Sequence, residues 1–135
     1  MTIIKKTIVL GILFLFASGM CWAQKIEFKK VSAQTFQSLI LEDEDNLLID
    51  VSSKSEFDKA RIKGAICAET SQKLFSILDT IPENLPVLIY CTSGKRSQRA
   101  CWLIKEKYPH QVYTLKGGLN VWEKKGFKVE SSADN

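Results

Sequence analysis

Residues 90–97 read Tyr-Cys-Thr-Ser-Gly-Lys-Arg-Ser, and this short segment holds the chemistry most open to inference. Cys91 closes an apolar run, Val87 to Tyr90, that predicts a buried strand. The stretch Gln98 to Tyr108 has helical spacing. A thiol at a strand-to-helix turn faces a helix N-terminus, where unpaired N–H groups and the helix dipole favour an anion. Lys95 and Arg96 add positive charge beside it. Together these influences favour thiolate over thiol and make Cys91 a candidate nucleophile at neutral pH. The alternative is a buried, inert thiol, since free cysteine is commonly a core residue. A polar, cationic loop directly after the sulfur argues against that.

The elements that must position this loop follow from the apolar pattern. Ile26 to Val31 predicts a first strand, and Ser32 caps a helix whose Phe36, Leu39 and Ile40 share one face. Glu42 to Asp45 reads as a solvated acidic loop. Leu47 to Val51 is apolar except for Asp50, as expected of a strand covered on both faces. Short elements follow: a helix over Ser53–Ala60, a strand over Gly64–Cys67 and a helix over Thr70–Asp79. Pro82 and Pro86 punctuate the approach to the cysteine strand. Val112 to Leu115 predicts a last strand, and Gly117-Gly118 opens a helix carrying Val121 and Trp122. Alternating strands and helices indicate an α/β fold with a mostly parallel sheet. Ligands of such sheets bind beyond the carboxyl ends of the strands, where Cys91 lies and Asp50 lies near it. Asp50 would orient the loop or cap backbone N–H groups. Cys101 shares a helical face with Ala100 and Ile104 and reads as core. His110 follows Pro109 in a turn and reads as exposed.

The 135 residues carry 19 basic and 15 acidic side chains, a net charge of +4. Lys5 and Lys6 precede an apolar run from Ile8 to Ala17, and small residues lead to Ala23. This pattern is that of a signal peptide over residues 1–23, with residues 24–135 as one domain. Cys21 raises the possibility of a lipidated cysteine, but Met20 stands where that motif needs a small residue. An uncleaved N-terminal segment would tether the domain to a membrane, facing outward. Cleavage leaves 17 basic residues against 15 acidic, too even a balance to suggest nucleic acid. No Cys-x-x-Cys pair or Cys/His cluster suggests a metal, and nothing calls for a cofactor. The lack of a heptad pattern favours a monomer. Three cysteines remain in the exported domain, an odd number that leaves at least one unpaired.

At this point four segments, in order, resemble the single-domain rhodanese-like sulfurtransferases. Leu47–Phe57 resembles the family's opening strand and helix. Arg61–Ile66 (R-I-K-G-A-I) resembles its histidine-isoleucine-x-glycine-alanine segment. Val87–Ser97 is similar to the active-site strand and loop, and Val112–Trp122 to the closing strand and helix. The resemblance implies a three-layer α/β fold with a five-stranded, mostly parallel sheet flanked by helices. Three positions depart from the pattern. Ser52 replaces an arginine, which removes a structural ion pair near Glu56; Arg61 replaces a histidine; Cys67-Ala68-Glu69 replaces Asn-Ile-Pro.

The resemblance also implies the reaction. Cys91 takes the outer sulfur of an anionic donor such as thiosulfate as a persulfide, and cyanide, a small thiol or a protein thiol accepts it. Gly94 permits a tight turn whose N–H groups converge on the sulfur. Thr92, Ser93 and Ser97 bring hydroxyl donors, and Lys95 and Arg96 attract the donor and stabilise departing sulfite. The spacing from Cys91 to Arg96, C-x-x-x-x-R, fits one sulfur atom; the related phosphatases carry one residue more. Two other readings compete: a sulfur-carrier or docking module without turnover, and a thiol redox protein pairing Cys91 with Cys67.

Overall fold

The computed structural model describes residues 27–134. The expected signal peptide, and Ile26 at the start of the first expected strand, lie outside them. Among the described residues five strands form one parallel sheet: β1 (Lys29–Val31), β2 (Leu47–Asp50), β3 (Ile66–Cys67), β4 (Val87–Tyr90) and β5 (Val112–Leu115), in the order β1-β5-β4-β2-β3. Five helices flank it: α1 (Ala33–Glu42), α2 (Lys54–Lys59), α3 (Ser71–Leu78), α4 (Lys95–Lys107) and α5 (Gly118–Lys124). A 3-10 turn at Ser132–Asp134 follows. The expected α/β architecture is the one observed.

Side-chain alternation along the central strand sets up the site. Successive strand residues point to opposite faces. Val87 and Ile89, with Cys91 beyond the strand end, join the core cluster that also holds Leu74 and Leu78 of α3 and Ala100, Cys101 and Ile104 of α4. Leu88 and Tyr90 join the other cluster, with Phe36 of α1 and Leu119 and Trp122 of α5. All four β4 residues are buried, as a strand covered on both faces requires. Period two therefore delivers Cys91 to the α3/α4 side, under the start of α4.

Caps decide where the helices begin. Ser32, Ser53 and Thr70 each accept a backbone N–H three residues on. Around α2, Ser53 and Glu56 form a reciprocal capping box, which holds a six-residue helix that buries no side chain. The helix expected from Gln98 starts three residues earlier, at Lys95. Gly94, at φ 92°, turns the chain directly into the helix. The first turn is polar, so apolar spacing did not register it.

His110 corrects an expectation. It is 2% exposed, stacks on Tyr108 with ring centroids 6.0 Å apart, and places Nδ1 3.1 Å from the Leu85 carbonyl oxygen. The turn after Pro109 folds back onto the β4 approach instead of facing solvent, because Val87 N–H donates to the Gln111 carbonyl.

Candidate active site

Cys91 lies at the carboxyl end of β4, fully buried. Its sulfur is 3.1 Å from the Gly94 nitrogen and 3.3 Å from the Ser97 nitrogen, both donating N–H groups. These are the unpaired amides at the start of α4, aimed at the position where negative charge would reside. Ser97 Oγ lies 3.5 Å from the sulfur, as acceptor of the thiol proton, and itself donates to the Gly94 carbonyl at 3.1 Å. The loop is a cradle of backbone amides around one atom.

The floor of this cradle is α5. Leu119 N–H donates to the Cys91 carbonyl at 2.9 Å and Asn120 N–H to the Thr92 carbonyl at 3.0 Å. Gly118, at φ 63°, permits the approach; a Cβ there would stand 2.3 Å from the Cys91 carbonyl oxygen and 2.7 Å from the Gly94 nitrogen. The Gly117-Gly118 pair thus serves close packing under the loop. The sequence puts the pair at the opening of a helix but carries no signal for the carbonyls it faces.

The other loop residues take places that differ from a ring of donors around sulfur. Thr92 Oγ1 donates to Glu56 Oε1 at 3.1 Å and lies 3.3 Å from Ser52 Oγ. Ser93 and Lys95 are exposed. Arg96 forms a two-pronged pair with Glu56, at 2.7 and 2.8 Å. The ion pair that Ser52 was expected to remove near Glu56 is therefore replaced by one to the loop itself. With serine at position 52, the Glu56 carboxylate is open to Arg96. The guanidinium beside Glu56, with the Ser53 hydroxyl and N–H, holds its carboxyl well below the usual carboxylate range. Ser-x-x-Glu at 53–56 is a readable capping signature, but its second role as the Arg96 partner depends on tertiary packing.

Asp50 acts at the flank. Its register partner on β4 is Tyr90, which points to the face opposite Cys91. Oδ1 accepts the Ser52 N–H at 2.8 Å, whereas Oδ2 is buried without a partner. Burial pushes its carboxyl up, partly offset by Ser52. Asp50 thus holds Ser52, and Ser52 touches Thr92. Tyr90 adds a support not anticipated: its hydroxyl accepts the Ile62 N–H at 2.9 Å, tying the 61–66 segment to the cysteine strand.

The described thiols are all free and buried. Burial pushes Cys101 up to about 12, as suits a core thiol. Cys67 pairs in register with Asp50, which in turn pairs with Tyr90. Two strand spacings of about 4.8 Å each therefore separate Cys67 from the β4 backbone. A disulfide needs Cα atoms within about 7 Å, so Cys67 and Cys91 cannot join without moving the sheet.

Beside the loop a cavity of 280 Å³ opens between α3 and α4. Val51, Ala68 and Ala100 line it and belong to the same packed cluster as Cys91, while Arg96 and Arg99 bring cations to its wall.

A family model described as a rhodanese-like domain matches residues 32–125. The chain belongs to the rhodanese-like family. A sulfurtransferase of Allochromatium vinosum is 28% identical over 101 residues, which span 74% of this chain and 92% of that relative. A tRNA uridine(34) hydroxylase of Staphylococcus aureus is 32% identical over 106 residues, 73% of this chain but only 30% of that protein. A solved rhodanese-related protein from Thermoplasma volcanium shares the fold with a TM-score of 0.64 at 18% identity, over 76% of this chain and 97% of that one. With sulfurtransferase relatives, this rhodanese-like domain is a rhodanese-type transferase at the level of the family. The matched span contains α1 through the whole of α5, and so the entire amide cradle and its glycine floor.

Proposed function

We propose that this rhodanese-like domain transfers sulfane sulfur through a persulfide on Cys91. The Cys91 thiolate attacks the outer sulfur of an anionic donor such as thiosulfate. A new sulfur–sulfur bond forms to Cys91, the donor's sulfur–sulfur bond breaks, and sulfite leaves with the bonding electron pair. An acceptor, cyanide or a thiol, then attacks the terminal sulfur and releases the thiolate, a two-step covalent cycle. The observation that carries this reading is the pair of N–H groups, from Gly94 and Ser97, converging on Cys91 Sγ at 3.1 and 3.3 Å. Both would stabilise the thiolate before attack and after transfer; removal of an oriented donor of this kind typically costs on the order of 3 kcal/mol.

A loop of C-x-x-x-x-R length, with two amides already aimed at one atom, suits sulfur better than a tetrahedral oxyanion. The redox alternative has no geometric support, because Cys67 lies two strands away and pairs in register on the Tyr90 side. Complete burial of Cys91 favours one variation: a carrier whose acceptor is a protein that must open the loop to reach the sulfur. The lysine-led apolar segment before residue 24 supports export, with transfer outside the cytoplasm, and N-terminal sequencing of the fractionated protein tests that.

The deciding experiment is intact-mass analysis of the reduced domain before and after thiosulfate, beside Cys91→Ser. The expected result is a gain of one sulfur atom, removed by cyanide and absent in the variant. No gain on a reduced Cys91 would reject thiosulfate as donor. Transfer from a protein persulfide under the same conditions would then select the carrier reading.

A further inference from the structure

The charge around Cys91 is not that of a simply cationic loop. Arg96 sits in the first turn of α4, one residue before the Ser97 amide that contacts the sulfur, and within electrostatic reach of Cys91. Its guanidinium is nonetheless engaged on both prongs by Glu56. Glu56 comes from α2, a helix that packs no side chain into the core, and its carboxylate also receives Ser53 N–H, Ser53 Oγ and Thr92 Oγ1. Five donated hydrogen bonds fix a negative charge beside the cradle. The pair is partly open, with the Arg96 and Glu56 side chains 41% and 37% exposed, so an incoming anion feels both members.

Of the other charges near the loop, Lys95 and Arg99 are exposed, and Asp50 of β2 is buried in register with Tyr90, on the face of the sheet opposite Cys91. One carboxylate thus offsets the charge of Arg96, a cation within electrostatic reach of the sulfur. A doubly charged donor loses twice what a singly charged one loses by that offset.

We infer that Glu56 sets the charge preference of the Cys91 site: by neutralising Arg96 it removes the advantage of a dianionic donor such as thiosulfate and lets singly charged donors, thiosulfonates and organic persulfides, compete. Glu56 is a positioning residue here, acting through Arg96 and Thr92. Its consequence for donors rests on the sulfur-transfer reading, but its effect on charge does not.

Two variants separate charge from architecture. Glu56→Gln keeps the capping box, which glutamine also closes, and leaves Arg96 charged. Arg96→Gln leaves Glu56 charged. Both break the same ion pair, so a purely structural role moves them in the same direction, whereas a charge role moves them apart.

The first readout is alkylation of Cys91 by iodoacetate and by iodoacetamide, mapped by mass. Both reagents attack the same thiolate, and only one is anionic, so the ratio of their rates reports local charge without any sulfur transfer. One unit charge about 7 Å away in water-like surroundings changes that ratio about three-fold. The expected result is a rise of about three-fold in Glu56→Gln and a comparable fall in Arg96→Gln, both flattened by high salt.

The second readout is persulfide loading by thiosulfate against methanethiosulfonate. The thiosulfate advantage should rise by a similar factor in Glu56→Gln. Ratios that stay level, that shift alike in both variants, or a Cys91 that neither reagent reaches would overturn the inference. Opposite shifts in the alkylation ratio without loading by either donor would retain the charge role and reject sulfur transfer from small donors instead.

Discussion

Gly118 lies directly beneath Cys91: a Cβ at position 118 would fall 2.3 Å from the Cys91 carbonyl oxygen and 2.6 Å from that of Thr92. The cradle around the sulfur is shaped as much from below, by the N-terminus of α5, as by its own residues. Both carbonyls accept α5 amides, and these bonds fix the two peptide planes that lead from Cys91 into the loop carrying the Gly94 and Ser97 N–H groups.

Gly118→Ala should therefore lower both stability and loading. The methyl group must displace backbone, and φ of 63° strains any L side chain. Overpacking of this kind costs about 1–3 kcal/mol. Urea denaturation reads the loss of stability. Persulfide loading at a denaturant-free temperature where the variant remains folded should still be slowed more than ten-fold. Full loading in a destabilised variant would show that α5 supports the fold without shaping the cradle.

Cys67→Ser should load sulfur at Cys91 within about two-fold of the parent rate, since a thiol beyond disulfide reach cannot resolve the persulfide. Mass analysis after oxidation should likewise show no bond between positions 67 and 91. A linkage in that digest would contradict the register of β3 on β2.

Acid should weaken the domain through Glu56. Its folded carboxyl is held below its usual value near 4.5, chiefly by Arg96, so its contribution is present above that value and fades as pH falls. The side chain is 37% exposed, and solvent screening keeps the effect on the modest scale of surface pairs. Thermal unfolding from pH 7 to pH 3 should show the parent losing Tm faster than Glu56→Gln below about pH 5. Parallel curves would mean that Glu56 gains nothing from its partners.

Tyr90→Phe should destabilise by about 1–3 kcal/mol, because the buried Ile62 N–H loses its acceptor. The hydroxyl points away from the sulfur face, so loading per folded molecule should be unchanged. Chemical denaturation beside intact-mass loading separates the two effects. A variant of normal stability would place water or another acceptor at Ile62.

The sequence alone was enough for the α/β class, the order of the elements and the place of Cys91, the candidate nucleophile, at a strand-to-helix turn. These follow from local regularities: period two in Val87–Tyr90, caps at Ser32, Ser53 and Thr70, and a glycine in a polar loop after a cysteine. Such signals act over a few residues and survive in one dimension. Tertiary structure decided how charge and support are distributed around the sulfur. Glu56 and Arg96 are forty residues apart, as are Ser52 and Thr92, and Gly118 lies beyond another helix and strand. Whether Arg96 faces the donor or a carboxylate depends on where α2 is carried by β2, and whether His110 is wet or buried depends on how its turn packs against β4. A parallel sheet joins segments distant in sequence through strand register, and register fixes these contacts only once the whole core has formed.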